Sequence, residues 1–177
     1  MNDDNATKYY GKYRGTVINN IDPLQTGRLL VQVSDVTGLT TTSWALPCVP
    51  IAGKLAGIYA VPQIGSNVWV EFEHGDPDYP IWVGGWWNIL AELPTPALPP
   101  LSVPASPSIV LQTTLQNSLF ISDLPGPTGG IVLKSTTGAY IAVNDTGIYI
   151  NNMKGSMITI VGPLVDINNG ALLVKSL

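Results

Sequence analysis

The chain has 177 residues, which suits one domain or two small ones, and 45% of its residues are hydrophobic while only 11% are charged. Eight Lys and Arg stand against twelve Asp and Glu, and the formal net charge of −4 argues against a surface that binds nucleic acid phosphates. A soluble domain commonly carries about a quarter charged residues, so this low fraction predicts that other protein covers much of the surface.

The N-terminus, MNDDNATKYY, has no basic region leading into an apolar core. We therefore expect no secretory signal, synthesis in the cytoplasm, and a flexible segment over residues 1–8. No apolar run reaches the roughly 20 residues that a membrane-spanning helix needs. Cys48 is the only cysteine, which excludes an intrachain disulfide and a Cys-rich metal site; we expect it to be a small buried apolar residue.

Residues 1–90 contain all five Trp and a series of runs rich in β-branched and aromatic residues. Clusters of Asp, Pro and Gly at residues 22–27 and 74–80 are typical of tight turns between strands. About five strands are predicted, enough for a small barrel. The runs in chain order are GKYRGTVINNI, GRLLVQVSDV, SWALPCVPI, GIYAVP, NVWVEFE and PIWVGGWW.

The next segment, residues 91–108, has proline at six of its eighteen positions. Proline fixes its own φ angle and biases the preceding residue toward extended backbone. We therefore predict a semi-rigid linker of polyproline type between two different domains.

Residues 109–177 form the third segment, in which short apolar runs alternate with polar residues and are separated by glycines at nearly even intervals. Alternation with a period of two predicts strands with one buried face, and no helical apolar spacing is present. With 18 Gly and 15 Pro in the chain, we predict an all-β protein. The Gly-bounded runs are IVLKSTT, AYIAVND, IYINNMK, SMITIV and PLVDINN.

One acidic cluster invites a catalytic or metal-binding interpretation. Its members, Glu71, Glu73, His74, Asp76 and Asp78, fall within eight residues. Asp in Gly and Pro turns usually accepts hydrogen bonds from nearby backbone N–H groups, and His74 has no second His or Cys beside it. The structural role is therefore favoured, and no metal or cofactor is predicted.

No other pattern predicts an enzyme. The chain has no G-x-S-x-G motif and no paired nucleophile and base. The acidic residues after position 90 are spread over turns and strand exteriors, where we expect them to act as solubilising charges. They are Glu92, Asp123, Asp145 and Asp166.

Four tryptophans permit a sugar-stacking or single-strand-stacking hypothesis. We expect Trp69 and Trp82 to face the barrel core. Trp86 and Trp87 follow a Gly-Gly pair and are expected to contact a neighbouring chain or a separate hub protein. Five basic residues in the barrel do not supply the positive groove that single strands require.

Read in order, the segments YYGKYRGTVINNIDPLQTGRLLVQV, SWALPCVPIAG and GIYAVPQIGSNVWVEFEHGDPDYPIWVGGWW resemble a known barrel. It is the oligonucleotide/oligosaccharide-binding (OB) barrel of phage baseplate assembly protein V, of the valine-glycine repeat protein G (VgrG) of type VI secretion, and of extracellular contractile injection spikes. LPGPTGGIVLKSTTGAYIAVNDTGIYI and ITIVGPLVDINNGAL resemble the trimeric β-helix, or β-prism, of these spikes. The most specific residues are Pro62, Gly65, Val68, Phe72, Glu73, Gly75, Asp76, Pro77 and Gly84.

The resemblance implies a homotrimeric, non-enzymatic central spike, with an OB barrel followed by an intertwined β-helix needle whose chains pair through backbone hydrogen bonds. The glycines Gly138, Gly147, Gly155, Gly162 and Gly170 are expected at its corners. The residues expected on the inward face of the trimer are Ile131, Leu133, Ile141, Val143, Ile148, Ile150, Ile158, Ile160, Val165 and Ile167.

Features of these spikes that are missing from the sequence define the expected partners. No hub domain precedes the barrel, which implies a separate hub subunit. No lysozyme domain lies between barrel and needle, so cell-wall hydrolysis is not implied. No His-x-His iron motif is present, so a separate tip protein of the proline-alanine-alanine-arginine (PAAR) repeat type is expected at the C-terminal end. The spike would be part of a baseplate in a phage tail or tail-like particle and would meet a target membrane only on firing.

Two other functions remain open at this point. The first is an oligomeric OB module that binds glycans through Trp86 and Trp87. The second is a muramidase-type enzyme, which would reduce the turbidity of a suspension of cell-wall material; we expect no such loss.

Overall fold

A computed structural model of the protein describes residues 7–175 and confirms the prediction of an all-β chain. Within that range the chain has fifteen strands, the single-turn helix α1 (Ser34–Thr37) and a few short 3₁₀ turns. Of the predicted flexible segment, residues 1–6 lie outside the described residues, while Lys8 forms an ion pair with Asp76 at 3.6 Å. The chain divides into two compact units between Leu90 and Ala91.

The first unit contains a five-stranded sheet in the order β2-β1-β6-β7-β3 and a separate hairpin of β4 and β5. Neighbouring strands are antiparallel, except that β3 pairs parallel with β7. The strands are β1 Tyr13–Asn19, β2 Leu30–Gln32, β3 Leu46–Pro47, β4 Ala52–Gly53, β5 Ala56–Gly57, β6 Asn67–Phe72 and β7 Pro80–Gly85.

Alternation along the strands places one face of this sheet in the core. Val68 and Val70 of β6 are fully buried, and Trp82 of β7 lies opposite Val70. Gly15 of β1 allows a close approach, because a Cβ at that position would lie 2.4 Å from the Val31 side chain. The core consists of Val17, Leu29, Val31, Val33, Ala45, Val68, Val70, Phe72 and Trp82.

Two burial predictions in this unit are wrong. Trp69 does not face the core, because Val68 and Val70 on either side of it are the inward residues and successive side chains of a strand point to opposite faces. Cys48 is exposed rather than buried, since it follows the two-residue strand β3 at the edge of the sheet.

A buried carboxylate organises the predicted turn at residues 22–27. Arg28 donates to Asp22 Oδ1 from Nε at 3.0 Å and from Nη2 at 2.6 Å. Asp22 also accepts hydrogen bonds from the backbone N–H groups of Leu24 at 3.0 Å and Thr26 at 2.8 Å. The guanidinium of Arg28, with help from these backbone donors, holds the pKa of Asp22 well below its usual range.

The second unit is an antiparallel sheet of eight strands that pair in chain order, each with the next. Two of its turns have only two residues, Asp145-Thr146 and Gly162-Pro163, so consecutive strands are forced into register. The strands are β8 Ile109–Gln112, β9 Ser118–Ser122, β10 Gly130–Lys134, β11 Tyr140–Asn144, β12 Gly147–Asn151, β13 Met157–Val161, β14 Leu164–Ile167 and β15 Leu172–Lys175.

The backbone ladder of this sheet differs from the interchain ladder that the sequence predicted. Every strand from β9 to β14 has both of its strand partners within the same chain. The short turns explain the difference, because they return the chain directly beside the strand that it has just left. Within the described residues, only β8 and β15 have a free edge in this sheet.

The proline-rich segment also differs in shape from a continuous extended linker. It contains 3₁₀ turns at Leu90–Glu92 and Thr95–Ala97 and an isolated bridge between Val103 and Ser106. Ser102 is buried, and its hydroxyl oxygen accepts a hydrogen bond from the backbone N–H of Ser108 at 3.2 Å. The segment therefore has local structure of its own.

Candidate assembly interface

One face of the eight-stranded sheet carries two continuous columns of aliphatic side chains, here called the apolar ladder. The register places Ile131 opposite Val143 and Leu133 opposite Ile141, and the same alignment continues from strand to strand. One column contains Ile109, Ile121, Ile131, Val143, Ile148, Ile160, Val165 and Val174. The other contains Leu111, Leu119, Leu133, Ile141, Ile150, Ile158, Ile167 and Leu172.

The apolar ladder is open to solvent in the single chain. None of its sixteen members is buried, and Leu111 and Ile109 at the β8 edge are 65% and 63% exposed. Isolated aliphatic residues on a protein surface are ordinary, but a contiguous apolar face of this kind marks an interaction site. The apolar ladder is therefore a candidate interaction surface.

The opposite face of the same sheet is mixed in character. Phe120 and Ala142 are buried there, and the column continues through Tyr149, Thr159 and Asp166. The sheet thus has one purely aliphatic face and one face with polar and aromatic groups. This asymmetry distinguishes the apolar ladder as the face to be covered.

All ten residues predicted for the inward face of a trimer lie in the apolar ladder. Sequence reasoning missed six others: four precede Gly130, where the predicted repeat began, and two follow Gly170, where it ended. In β8 and β9 the available signal was a short apolar run ending at a polar residue, IVLQ and SLFIS. The missed residues are Ile109, Leu111, Leu119, Ile121, Leu172 and Val174.

The glycines assigned to corners lie at or beside the turns, and all five have positive φ angles. Gly147 is the most constrained, because a Cβ there would lie 2.4 Å from the backbone oxygen of Ile160 in the next strand. At Gly155 the same Cβ would meet no atom within 4 Å. The glycines are Gly138, Gly147, Gly155, Gly162 and Gly170.

Asn and Asp side chains bond to the backbone at the turns of the sheet. Asn152 Oδ1 accepts from the N–H groups of Lys154 at 2.8 Å and Ser156 at 3.0 Å. Asp145, expected to be a solubilising charge, accepts from the N–H of Gly126 at 2.9 Å. Asp166 likewise accepts from Gly170 at 2.7 Å, so these two carboxylates fix turns in addition to carrying charge.

In the first unit, the sheet face away from the core carries an aromatic and cationic cluster. The rings of Trp69 and Trp86 are 5.9 Å apart, and the Arg14 guanidinium lies 5.1 Å from the Trp86 ring centre. Trp87 is 62% exposed. The structure therefore brings Trp69 and Trp86 together and leaves Trp87 open to solvent, while Trp82 lies in the core as predicted.

The acidic cluster is divided among separate structural contacts. Glu71 forms an ion pair with Lys12, and Asp76 Oδ1 accepts the N–H of Asp78 at 3.1 Å. Glu73 and His74 are exposed in a 3₁₀ turn, so Glu73 does not share a strand face with Glu71. Over residues 7–175, no group of three or more His, Cys, Asp and Glu is placed to hold a metal ion.

The family comparisons assign both units. Residues 13–87 match the model of the type VI secretion system/phage-baseplate injector OB domain. Residues 108–173 match the model of the phage baseplate V C-terminal trimerisation domain. No curated protein matches the chain. Among residues 7–175, no helix has both the length and the apolar character needed to cross a membrane.

The two matches occur in the same order as the two segments of the sequence resemblance and confirm it. They cover the barrel that contains the Trp cluster and nearly all of the sheet that carries the apolar ladder. Both are structural components of a baseplate. The chain therefore belongs to the phage baseplate V family of VgrG-like spike proteins.

Proposed function

We propose that this chain forms the homotrimeric, non-enzymatic central spike of a phage tail or related contractile injection system. The observation that carries the proposal is the apolar ladder, an exposed aliphatic face of sixteen residues on a sheet that matches a trimerisation domain. Three copies of this face would cover one another around a threefold axis. The spike role then follows from the injector OB domain in the same chain.

In the proposed trimer, the three sheets form a three-sided prism with their apolar ladders inward. Fully burying an Ile, Leu or Val side chain contributes about 1.5–3 kcal/mol, and the ladder residues are already partly covered, so each gains a fraction of that. Sixteen positions in each of three chains would still make dissociation very slow. The right-handed twist of the strands would wind the three sheets about the common axis as a β-prism needle.

The same proposal identifies the partners at the two ends of the spike. The barrel end would join a separate hub protein, with Trp86 and Trp87 as candidate contacts. A PAAR-type tip protein would cap the C-terminal end, and the needle would pierce the target envelope when the particle fires. Nucleic acid is not a proposed partner, because the chain is acidic and has only eight basic residues.

Light scattering of the purified chain tests the trimer directly. We expect a mass of three chains, each of 18.8 kDa, and persistence of that species after warming in detergent. A monomer at micromolar concentration would refute the proposed needle. Cell-wall suspensions should keep their turbidity in the presence of the protein, and clearing would refute the non-enzymatic assignment.

A second candidate function is glycan binding by the barrel. The partly exposed residues Trp69 and Trp86, with the Arg14 guanidinium over their rings, favour it, since sugars stack on such rings and a cation recognises acidic groups. A glycan array with the intact chain would test this function. Loss of a signal in Trp69→Ala but not in Tyr79→Ala, an exposed aromatic elsewhere, would support it, and an array without signal would reject it.

A further inference from the structure

The barrel contains a long stretch with almost no charge. Between Asp35 and Glu71 the only charged residue is Lys54, whereas residues 1–90 as a whole carry five Lys and Arg against eight Asp and Glu. Three copies of an acidic barrel repel one another wherever their charged surfaces meet. The uncharged stretch is therefore the part of the barrel best suited to contact its own copies.

The β4–β5 hairpin projects from this stretch, and residues 51–58 are here called the arm. Its strands pair Ala52 with Gly57, and the Ile58 N–H donates to the Ile51 oxygen at 3.1 Å. Leu55 at its tip is 100% exposed and has a φ of 57°, a conformation that leucine rarely adopts. A hairpin of two-residue strands is marginal alone, so a partner that covers the arm would stabilise it.

A cleft of about 420 Å³ lies between the arm and the wall of the same barrel. The wall includes Gly27, Pro47, Val49, Val61 and Trp82, and the Trp82 indole N–H already donates a hydrogen bond to the Gly27 oxygen at 3.0 Å. No charged side chain lines the cleft. Its chemistry therefore suits an aliphatic side chain from another molecule.

We infer that the arm of one copy packs into the cleft of the next copy, so that three barrels close a ring. This inference rests on the proposed trimer. A threefold ring requires a head-to-tail contact, in which two different surfaces of one chain complement each other. The arm, with the exposed Leu55, and the apolar cleft supply such a pair on one barrel.

Tethering makes this contact attainable even if it is weak by itself. The trimerisation match begins at residue 108, so trimer formation would hold the three barrels at an effective concentration on the order of millimolar. The contact would lock the barrels into one arrangement at the hub end of the spike. The competing possibilities are that a hub protein covers the arm or that the arm remains free.

Photo-crosslinking of the purified full chain tests the contact. The photoreactive residue p-benzoylphenylalanine replaces Leu55, and the matched control places it at Leu39, which is 95% exposed and outside both arm and cleft. Light scattering before illumination measures the assembly state. We expect a trimer that gives covalent dimers and trimers on denaturing gels from position 55 only, with adducts mapping to residues 47–49 or 59–61 of another chain.

The outcomes separate this inference from the spike proposal. A trimer with no interchain adduct above the Leu39 control, or with adducts that include none of the wall residues 47–49 and 59–61, would overturn the arm-and-cleft contact and leave the spike standing. A monomer before illumination would overturn both.

Discussion

At the residue scale, Asp22 is a charged side chain that the barrel uses for structure. Its carboxylate is buried, accepts two hydrogen bonds from Arg28 at Oδ1, and accepts backbone hydrogen bonds from the turn that follows β1. Arg28 in turn lies 5.4 Å from the ring centre of Trp44. One carboxylate thus fixes the turn, the guanidinium and an aromatic neighbour together.

Replacing Asp22 by Asn should destabilise the barrel at pH 7. The amide lacks the negative charge and one acceptor, so Arg28 would remain partly buried without its ionic partner. Because all five Trp lie in residues 44–87, their fluorescence during denaturant unfolding of the full chain reports on the barrel. Asp35→Asn, at an exposed position, is the control; equal midpoints for the two variants would contradict the role given to Asp22.

The same carboxylate predicts a dependence of barrel stability on pH. The pKa of Asp22 is depressed in the folded state, so its contribution is complete above the unfolded value of about 3.9 and is lost as pH falls toward the folded pKa. We expect the free energy of unfolding to decrease as the pH is lowered below about 4. Asp22→Asn should show a smaller slope there, and identical slopes would exclude Asp22 as the source.

At the element scale, the sequence predicted the strands β10 to β14 well because β-branched residues alternate with polar ones between glycines. It did not predict β15, since the run LLVK has three consecutive apolar residues and no alternation. The error at Trp69 has a related cause. In the run NVWVEF, the residues on both faces of the strand are apolar near Trp69. The alternation of side chains therefore does not identify which face is buried.

The turns of the eight-stranded sheet predict unequal effects of two glycine substitutions. Gly155→Ala adds the strain of a positive φ, about 1–2 kcal/mol per chain, whereas Gly147→Ala also drives a Cβ against the Ile160 oxygen. Gly147→Ala should therefore lower the temperature at which the assembled protein dissociates in detergent by more than Gly155→Ala does. The reverse order would contradict the register of β12 and β13.

At the scale of the whole molecule, the two units differ in whether their apolar residues are buried within one chain. The barrel encloses its own core, from Val17 to Trp82, within one chain. The eight-stranded sheet leaves its aliphatic face open to solvent, and in the proposed trimer copies of the chain cover it. Sequence patterns identified ten of the ladder positions, but the continuity of the two columns across all eight strands became visible only when the strands were placed in register.

Introducing a charge into the apolar ladder should prevent assembly. Ile141 lies between Leu133 and Ile150 in the ladder, so Ile141→Asp would bring three carboxylates to one level of the proposed threefold axis. We expect a monomer by light scattering. Thr137→Asp, which adds the same charge in an exposed turn of the same sheet, should keep the trimer.

A heat-stable trimer of Ile141→Asp would refute the inward assignment of the ladder. A monomeric Thr137→Asp would show that assembly responds to added charge in general. Because the proposed contact is apolar, the wild-type mass should also be unchanged between low and high salt, where surface ion pairs are screened.

The consecutive pairing of β8 to β15 has a consequence for how such a protein changes size. Neighbouring strands lie about 4.8 Å apart, so eight strands span about 34 Å along the hydrogen-bond direction. Inserting one more hairpin would lengthen this span by about 10 Å while leaving its width and the two aliphatic columns unchanged. In the proposed spike, the number of hairpins would therefore set the length of the needle, and duplication or deletion of a short stretch of gene would change that length in whole steps.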